Sequence, residues 1–240
     1  MRIPRLAACV LLFGLRALPA SAEGERAYPL VPASFDVLRD EREIWKDLFQ
    51  IHREELRWIL PLAAANAAAI ATDGTAYRNI NTSKSIQTAS HAISSLGAPY
   101  PLFAASGSMY LFGRYTGSRR LRETGIFGTQ ALVHTAIITG ALESLTNRRL
   151  PNASGHSSFW SGGDAWPSGH AAMFWALSTV VAQQCQDHPV MKWGAYSLAT
   201  AVSVSRFTGR QHFPSDALAS SVIGYLTGRW VVHRHSTMRP

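Results

Sequence analysis

The stretch SRFTGRQHFPSD at residues 205–216 decides how this chain is organised, together with WPSGH at residues 166–170. Each stretch lies where one apolar segment ends and the next begins. Such junctions bring the free amides of a helix start close to charged side chains at the end of a neighbouring helix. The two stretches therefore predict one anion-binding pocket, and a phosphate suits its amides, cation and imidazoles.

The first junction places Ser168 directly before the uncharged apolar run at residues 169–181. Serine is a preferred N-cap, and the first amides of the helix, including that of Gly169, would face an anion at the positive end of the helix dipole. His170 lies in the same first turn, within reach of a leaving-group oxygen. The alternative interpretation is a capped helix start with no further role.

The second junction supplies a cation and a second histidine. Arg206 closes the apolar segment 193–204, and its planar guanidinium can pair with two phosphate oxygens. His212 stands four residues before Asp216, so the carboxylate can accept the proton on one ring nitrogen and leave the other free to attack phosphorus. The alternatives are a helix-end arginine with its head in water and a local contact within a turn.

Both junctions resemble motifs of the type 2 phosphatidic acid phosphatase and vanadium haloperoxidase superfamily. The third motif of that family is Ser-Arg, five residues, His, three residues and Asp, and the second is Pro-Ser-Gly-His; both are present without a gap. The resemblance covers about residues 100–235 and implies an all-α, single-domain helical bundle of that type. It implies no metal and no other cofactor for the phosphatases.

The resemblance also implies a role for each matching residue. His212 would be the nucleophile that forms a phosphohistidine, Asp216 would orient it, and His170 would be the general acid. The phosphoryl oxygens would be held by the remaining polar groups of the two motifs, Arg206, Ser168 and Gly169.

The first motif of the family is degenerate here. Its pattern is Lys, six residues and Arg-Pro, but Glu143 stands at the lysine position and Leu150 at the arginine position before Pro151. Arg149 or Arg148 is the candidate substitute for the arginine, whereas nothing replaces the lysine. Losing one charge-stabilising donor costs on the order of 3 kcal/mol in the transition state. A binding or scaffold member without activity is therefore an alternative.

The predicted function is an exported phosphatase that hydrolyses a phosphomonoester or pyrophosphate. A lipid phosphate or a nonspecific acid phosphatase substrate would fit, with a phosphohistidine intermediate. A vanadate-dependent haloperoxidase is a further alternative. The absent lysine counts against it, because a permanently bound vanadate needs more positive charge than a transient phosphoryl group.

Residues 1–22 predict a secretory signal peptide. Arg2 and Arg5 precede the apolar run 6–15, and the small residues 20–22 form a cleavage site. The run is too short to span a bilayer, which needs about 20 residues, and an uncleaved anchor is the alternative. The prediction is an exported protein, periplasmic or secreted. Cys185 would then be the one cysteine left, which excludes an intramolecular disulfide.

The net charge of +8 falls to +5 when the three arginines of residues 1–22 are removed (8 − 3). This excess suits an anionic substrate or peripheral contact with an anionic membrane surface, although solvated surface charge explains it equally well. No basic tract with interleaved aromatic residues is present, so nucleic acid is not a predicted partner. The sequence does not indicate an oligomeric state.

The length of 240 residues suits one domain. Residues 23–57 predict a lead-in with a covering helix, residues 58–235 the helical domain, and residues 236–240 a tail. The domain contains apolar blocks without the alternation of strands, which predicts a helical bundle. These blocks are residues 58–71, 85–96, 101–112, 119–145, 169–181, 192–204 and 216–230, separated by polar or Gly/Pro clusters that include Asp73 and Gly74.

Three further interpretations concern the surroundings of the site. The loop 151–167, which carries Asn152, His156, Trp160 and Asp164, predicts a lid or a substrate rim. His91 and His134 are interpreted as core or surface histidines. Mean hydropathy near zero favours a soluble or peripherally attached protein, with a membrane-spanning bundle as the alternative.

Overall fold

The computed structural model describes residues 37–49, 53–80, 82–151 and 157–235. All regular structure in these residues is helical, which confirms the predicted all-α fold. The helices are α1 (Val37–Phe49), α2 (Arg53–Asn79), α3 (Lys84–Ser94), α4 (Pro99–Thr116), α5 (Arg119–Thr146), α6 (Gly169–Gln184), α7 (Pro189–Thr208) and α8 (Pro214–His235), with a 3-10 turn at Ser95–Gly97. The predicted signal peptide and the tail 236–240 lie outside the described residues.

Helix α6 lies at the centre of the bundle, where it packs against α5, α7 and α8. It carries no charged residue except His170 in its first turn, so nearly its whole circumference can be buried. Around it, α4 packs on α5, α3 on α7 and α2 on α8. One buried cluster joins α5, α6 and α8 through Phe127, Ala131, Ala176, Val180 and Val231.

Helices α6 and α8 run parallel and touch backbone to backbone. A Cβ atom at Gly224 would lie 2.1 Å from the Ala172 carbonyl oxygen, and one at Gly228 would lie 2.5 Å from that of Ala176. Because both contacts advance by four residues in the same direction, the two helices begin at the same end of the bundle. Their N-terminal amides and dipoles therefore face one region.

We expect Gly224→Ala to destabilise the protein by about 1–3 kcal/mol, because the methyl group must push the two helices apart. Thermal or chemical denaturation measures the loss. The matched control is Gly194→Ala in α7, where no atom lies within 4 Å of the added carbon and alanine is the better helix former. Equal stability of the Gly224 variant and the wild type would contradict the close approach.

Helix α2 differs from the prediction. The sequence marks Asp73 and Gly74 as a break between helices, yet α2 continues through both residues to Asn79. The predicted break is wrong because the Asp73 carboxylate accepts hydrogen bonds from residues distant in sequence, Arg148 and Ser215, and does not form a local turn. Pro61 lies inside this helix, and the predicted domain boundary at residues 57 and 58 also falls within it.

In the part of the chain that the structure describes, one helix, α5, is long and apolar enough to cross a bilayer. Of the 18-residue stretch of α5 that is apolar enough to span a bilayer, 56% is buried inside the protein. The core helix of a soluble protein has the same length and composition, so α5 is weak evidence for a membrane span.

Candidate active site

Four helix ends meet at one end of the bundle and form the candidate site. Helix α5 runs antiparallel to α6, since Gly128 contacts Leu177 while Glu143 lies beside Gly169. The ends of α5 and α7 therefore lie with the starts of α6 and α8. This arrangement brings the segments that carry the two predicted motifs to the same region.

His212 lies in the turn between α7 and α8 and is buried. Its Nδ1 atom is 2.9 Å from the carbonyl oxygen of Ala165. A carbonyl oxygen only accepts hydrogen bonds, so Nδ1 carries the proton and Nε2 is left with a lone pair. The ring therefore has the tautomer that a nucleophilic Nε2 requires.

Asp216 contributes less directly to His212 than the spacing predicts. Its Oδ2 atom is 3.4 Å from Nδ1 of His212 and accepts the backbone N–H of Phe213 at 2.8 Å. Phe213 precedes the first residue of α8, so Asp216 is a helix residue that reaches back to the N-cap amide. The Ala165 carbonyl is the closer partner of the ring, and Asp216 fixes the turn that carries it.

Arg206 lies in the last turn of α7 with a buried side chain, not with its head in water. Its Nη1 atom donates to Ser94 Oγ at 2.6 Å and to Gln211 Oε1 at 2.8 Å. Burial lowers the pKa of the guanidinium to about 10, so it remains a cation at neutral pH. Its Nε atom is buried without a hydrogen-bond partner among the described residues.

The start of α6 presents Ser168 and His170. Ser168 occupies the N-cap position, but its hydroxyl does not bond to the helix amides. That hydroxyl is buried and has no hydrogen-bond partner within the described segments. The pKa of His170 is lowered to about 4, mainly by burial, with smaller electrostatic contributions from Arg206 and His212, so both groups lie within electrostatic reach of the ring. His170 is therefore neutral at pH 7.

Arg148 does not match its predicted role as a phosphate ligand. Its side chain is fully buried and lies between two carboxylates, those of Asp73 and Asp216, which neutralise it. Its guanidinium also stacks on the rings of Phe159 and Phe213, at 4.7 and 4.6 Å from their centroids. Arg148 therefore joins α2 to the start of α8 and is not available to an anion.

Arg149 does not match the predicted role either. It is exposed, and its Nη2 atom donates to the carbonyl oxygen of Ser161 at 3.0 Å. Neither arginine therefore replaces the missing arginine of the first motif.

Glu143, at the lysine position of the first motif, faces the start of α6. Its Oε1 atom lies 3.5 Å from the position that a Cβ atom would take at Gly169. Burial, and after it the charge of Asp164, raise the pKa of this carboxyl to about 7. Among the described residues the carboxyl makes no hydrogen bond and no ion pair.

Two polar residues that contact Arg206, Ser94 and Gln211, have no signal in the sequence that would have found them. Ser94 at the end of α3 donates to Gln211 Oε1 at 3.0 Å, so both hold Arg206 from outside the proposed ligand set. His91 Nδ1 lies 3.0 Å from Gln211 Nε2 at the surface. His134 is a core histidine, with Nδ1 2.7 Å from Glu41.

The described residues contain no group of His, Cys, Asp and Glu that could hold a metal ion.

The described part of the loop before α6 is tied to the end of α5. Backbone N–H groups of Trp160 and Ala165 donate to the carbonyl oxygens of Thr146 and Arg148, each at 2.8 Å. Trp160 is exposed. Asn152 and His156 lie outside the described residues, so the predicted lid or rim stays a prediction.

The PAP2 superfamily model matches residues 130–239, a range that includes Glu143 and both intact motifs. Over these residues the chain is similar to the PAP2 superfamily. No curated protein sequence matches it.

Two solved structures resemble this chain. One is a transmembrane PAP2 type phosphatidylglycerolphosphate phosphatase from Bacillus subtilis, with a TM-score of 0.56 and 21% identity over 78% of this chain and 98% of the other. The second is Aquifex aeolicus LpxE, with a TM-score of 0.51 and 17% identity over 66% of this chain and 91% of the other. At these identities the likeness establishes a shared PAP2 helical fold.

Proposed function

We propose that this protein is a phosphatase that hydrolyses a phosphomonoester or pyrophosphate through a phosphohistidine on His212. The observation that carries the proposal is the hydrogen bond from His212 Nδ1 to the Ala165 carbonyl, which leaves Nε2 as a lone-pair donor. The guanidinium of Arg206 and the start of α6 lie in the same region. The similarity to the PAP2 superfamily supports the same reaction type.

In the proposed mechanism the phosphate lies over the start of α6. Its oxygens contact the Arg206 guanidinium, the Ser168 hydroxyl and the Gly169 amide. His212 Nε2 attacks phosphorus, and the bond from phosphorus to the leaving oxygen breaks as His170 gives that oxygen a proton. Water then attacks the phosphohistidine with His170 as the base, which releases phosphate and restores both rings.

His170 must gain a proton before it can act as an acid. With a pKa of about 4 it is neutral at pH 7. A phosphate dianion beside the ring favours the imidazolium, since an opposite charge nearby stabilises the charged form. His170 therefore takes up its proton together with the substrate.

A lipid phosphate is the proposed substrate class, with association of the protein with a membrane. Large apolar side chains are exposed on several helices, and they include Trp58, Leu60, Tyr100, Leu111, Tyr115, Val190 and Trp193. The Bacillus subtilis structure, a transmembrane phosphatase, supports the same environment. Export rests on the signal peptide pattern of residues 1–22, and a soluble acid phosphatase substrate is the alternative.

We expect His170→Ala to slow hydrolysis of alkyl phosphates by about 10²–10⁴-fold, the usual contribution of a general acid or base. The loss should be much smaller in the first step with p-nitrophenyl phosphate, because p-nitrophenolate leaves without a proton. The kcat/KM values on phosphatidate in detergent micelles, inorganic pyrophosphate and p-nitrophenyl phosphate test this, because they report the steps up to the loss of the leaving group.

The wild-type protein and His188→Ala, an exposed histidine outside the site, are the controls. No hydrolysis of any substrate by the wild type would overturn the phosphatase proposal in favour of a scaffold role. An equal loss on all substrates would contradict the acid role of His170.

A further inference from the structure

Glu143 is an unpaired carboxyl at the anion site. Its Oε1 atom lies 3.5 Å from the Cβ position at Gly169, and Thr139 Oγ1 lies 3.9 Å from the same point. The Thr139 hydroxyl donates to the Thr135 carbonyl within α5, so it is engaged elsewhere. Glu143 is intermediate in exposure, and in the described part of the chain no residue bonds to its carboxyl. The carboxyl is therefore free to contact a substrate over the start of α6.

The proton on Glu143 decides how it acts on a phosphate over α6. An ionised carboxylate offers only acceptor oxygens and repels a phosphate anion of the same sign. A neutral carboxyl has an O–H group that donates to a phosphoryl oxygen. One side chain can thus oppose or assist binding at the same position.

We propose that Glu143 is a substrate-binding residue in its protonated form, donating a hydrogen bond to a phosphoryl oxygen and confining tight phosphate binding to the acid side of neutrality. This proposal rests on the proposed phosphatase function. On this proposal, Glu143 at the lysine position contributes to phosphate binding instead of marking a loss of activity.

The surrounding charges favour this assignment. Burial is the main cause that raises the pKa of Glu143 to about 7, and the charge of Asp164 from the loop is the second cause. A raised pKa means that the carboxyl is protonated below about pH 7 and ionised above it. Before phosphate binds, His170 of α6, with a pKa of about 4, is neutral over this range, and Arg206 of α7, with a pKa of about 10, is charged. The proton that His170 takes up with phosphate is common to the wild type and the Glu143 variants. His212 faces the same region from the turn before α8. The Glu143 variants below separate the effect of Glu143 on phosphate affinity from any effect of His212.

The test measures the affinity of inorganic phosphate for the full-length protein at about pH 5.5 and pH 8 by calorimetry. Wild-type affinity should fall by about tenfold, because a group with a pKa near 7 is about nine-tenths ionised at pH 8. Glu143→Gln keeps a neutral donor of the same shape, so its affinity should fall clearly less than that of the wild type. Glu143→Lys should bind tightly at both pH values.

Asp164→Asn provides a second variant that leaves Glu143 in place. Removing its charge lowers the pKa of Glu143, so the loss of affinity should begin at a lower pH than in the wild type. A parallel loss in the wild type and Glu143→Gln would overturn the proposal, because the pH dependence would then belong to phosphate or to a group other than Glu143. If neither the wild type nor any Glu143 variant binds phosphate at either pH, while all melt as folded proteins, the proposed phosphatase function fails as well.

Discussion

His212→Ala is expected to reduce phosphatase activity by about 10⁴-fold or more, the scale of losing a catalytic nucleophile. The variant removes the only group proposed to bond to phosphorus. The ring binds the Ala165 carbonyl through Nδ1. Ala165 does not need His212 to hold its position, because its own N–H donates to the Arg148 carbonyl. The fold should therefore survive.

Turnover of p-nitrophenyl phosphate and mass spectrometry of protein quenched in alkali, where phosphohistidine is stable, measure the two parts of this prediction. The wild type should carry a phosphoryl group on His212 during turnover, and the variant should carry none. His188→Ala, an exposed histidine in the turn between α6 and α7, is the matched control and should retain its activity. Wild-type rates in a folded His212→Ala protein would contradict the nucleophilic role.

Arg148→Met should lower the free energy of unfolding by about 3–5 kcal/mol, the usual cost of removing one partner of a buried ion pair. Asp73 and Asp216 are both fully buried and both contact the Arg148 guanidinium. Without the cation, two like charges remain inside the protein, one of them at the start of α8. Chemical denaturation measures the loss directly.

Arg149→Met is the matched control, since the neighbouring arginine is exposed and its removal should cost within about 0.5 kcal/mol. The double variant Arg148→Met with Asp73→Asn should be less destabilised than the sum of the two single variants, because it removes one of the two unpaired charges. Equal stability of the Arg148 and Arg149 variants would show that the buried network does not hold the start of α8.

The sequence is sufficient to predict the helices that build the site. The apolar run of α6 carries no charged residue after His170, and no strand alternation competes with it, so its burial at the centre of a helical bundle follows from composition. The spacing of Arg206, His212 and Asp216 depends only on local chain geometry, which is why these residues could be named before their surroundings were known.

The partners of these residues could not be predicted, because they come from distant segments. The carbonyl that fixes the tautomer of His212 belongs to Ala165, a backbone group 47 residues away that has no side-chain signature. Arg148 looks like a phosphate ligand in the sequence because its charge is visible there. Asp73, 75 residues away, neutralises that charge only after the bundle forms.

Glu143 illustrates the difference between identity and environment. The sequence shows that Glu143 stands at the lysine position of the first motif, and from the sequence alone this favours a loss of phosphatase activity. Its proximity to Gly169, its lack of a partner among the described residues and its raised pKa come only from the packing of α5 against the start of α6. The same substitution then indicates a pH-dependent phosphate ligand.

A crystal structure of the protein with orthovanadate tests most directly whether these helix ends form one oxyanion site. We predict vanadium bonded to His212 Nε2, with oxygens in contact with the Arg206 guanidinium, the Ser168 hydroxyl and the Gly169 amide. Vanadate bound away from His212, or a His212 ring whose Nε2 atom points away from Arg206 and the start of α6, would contradict the account.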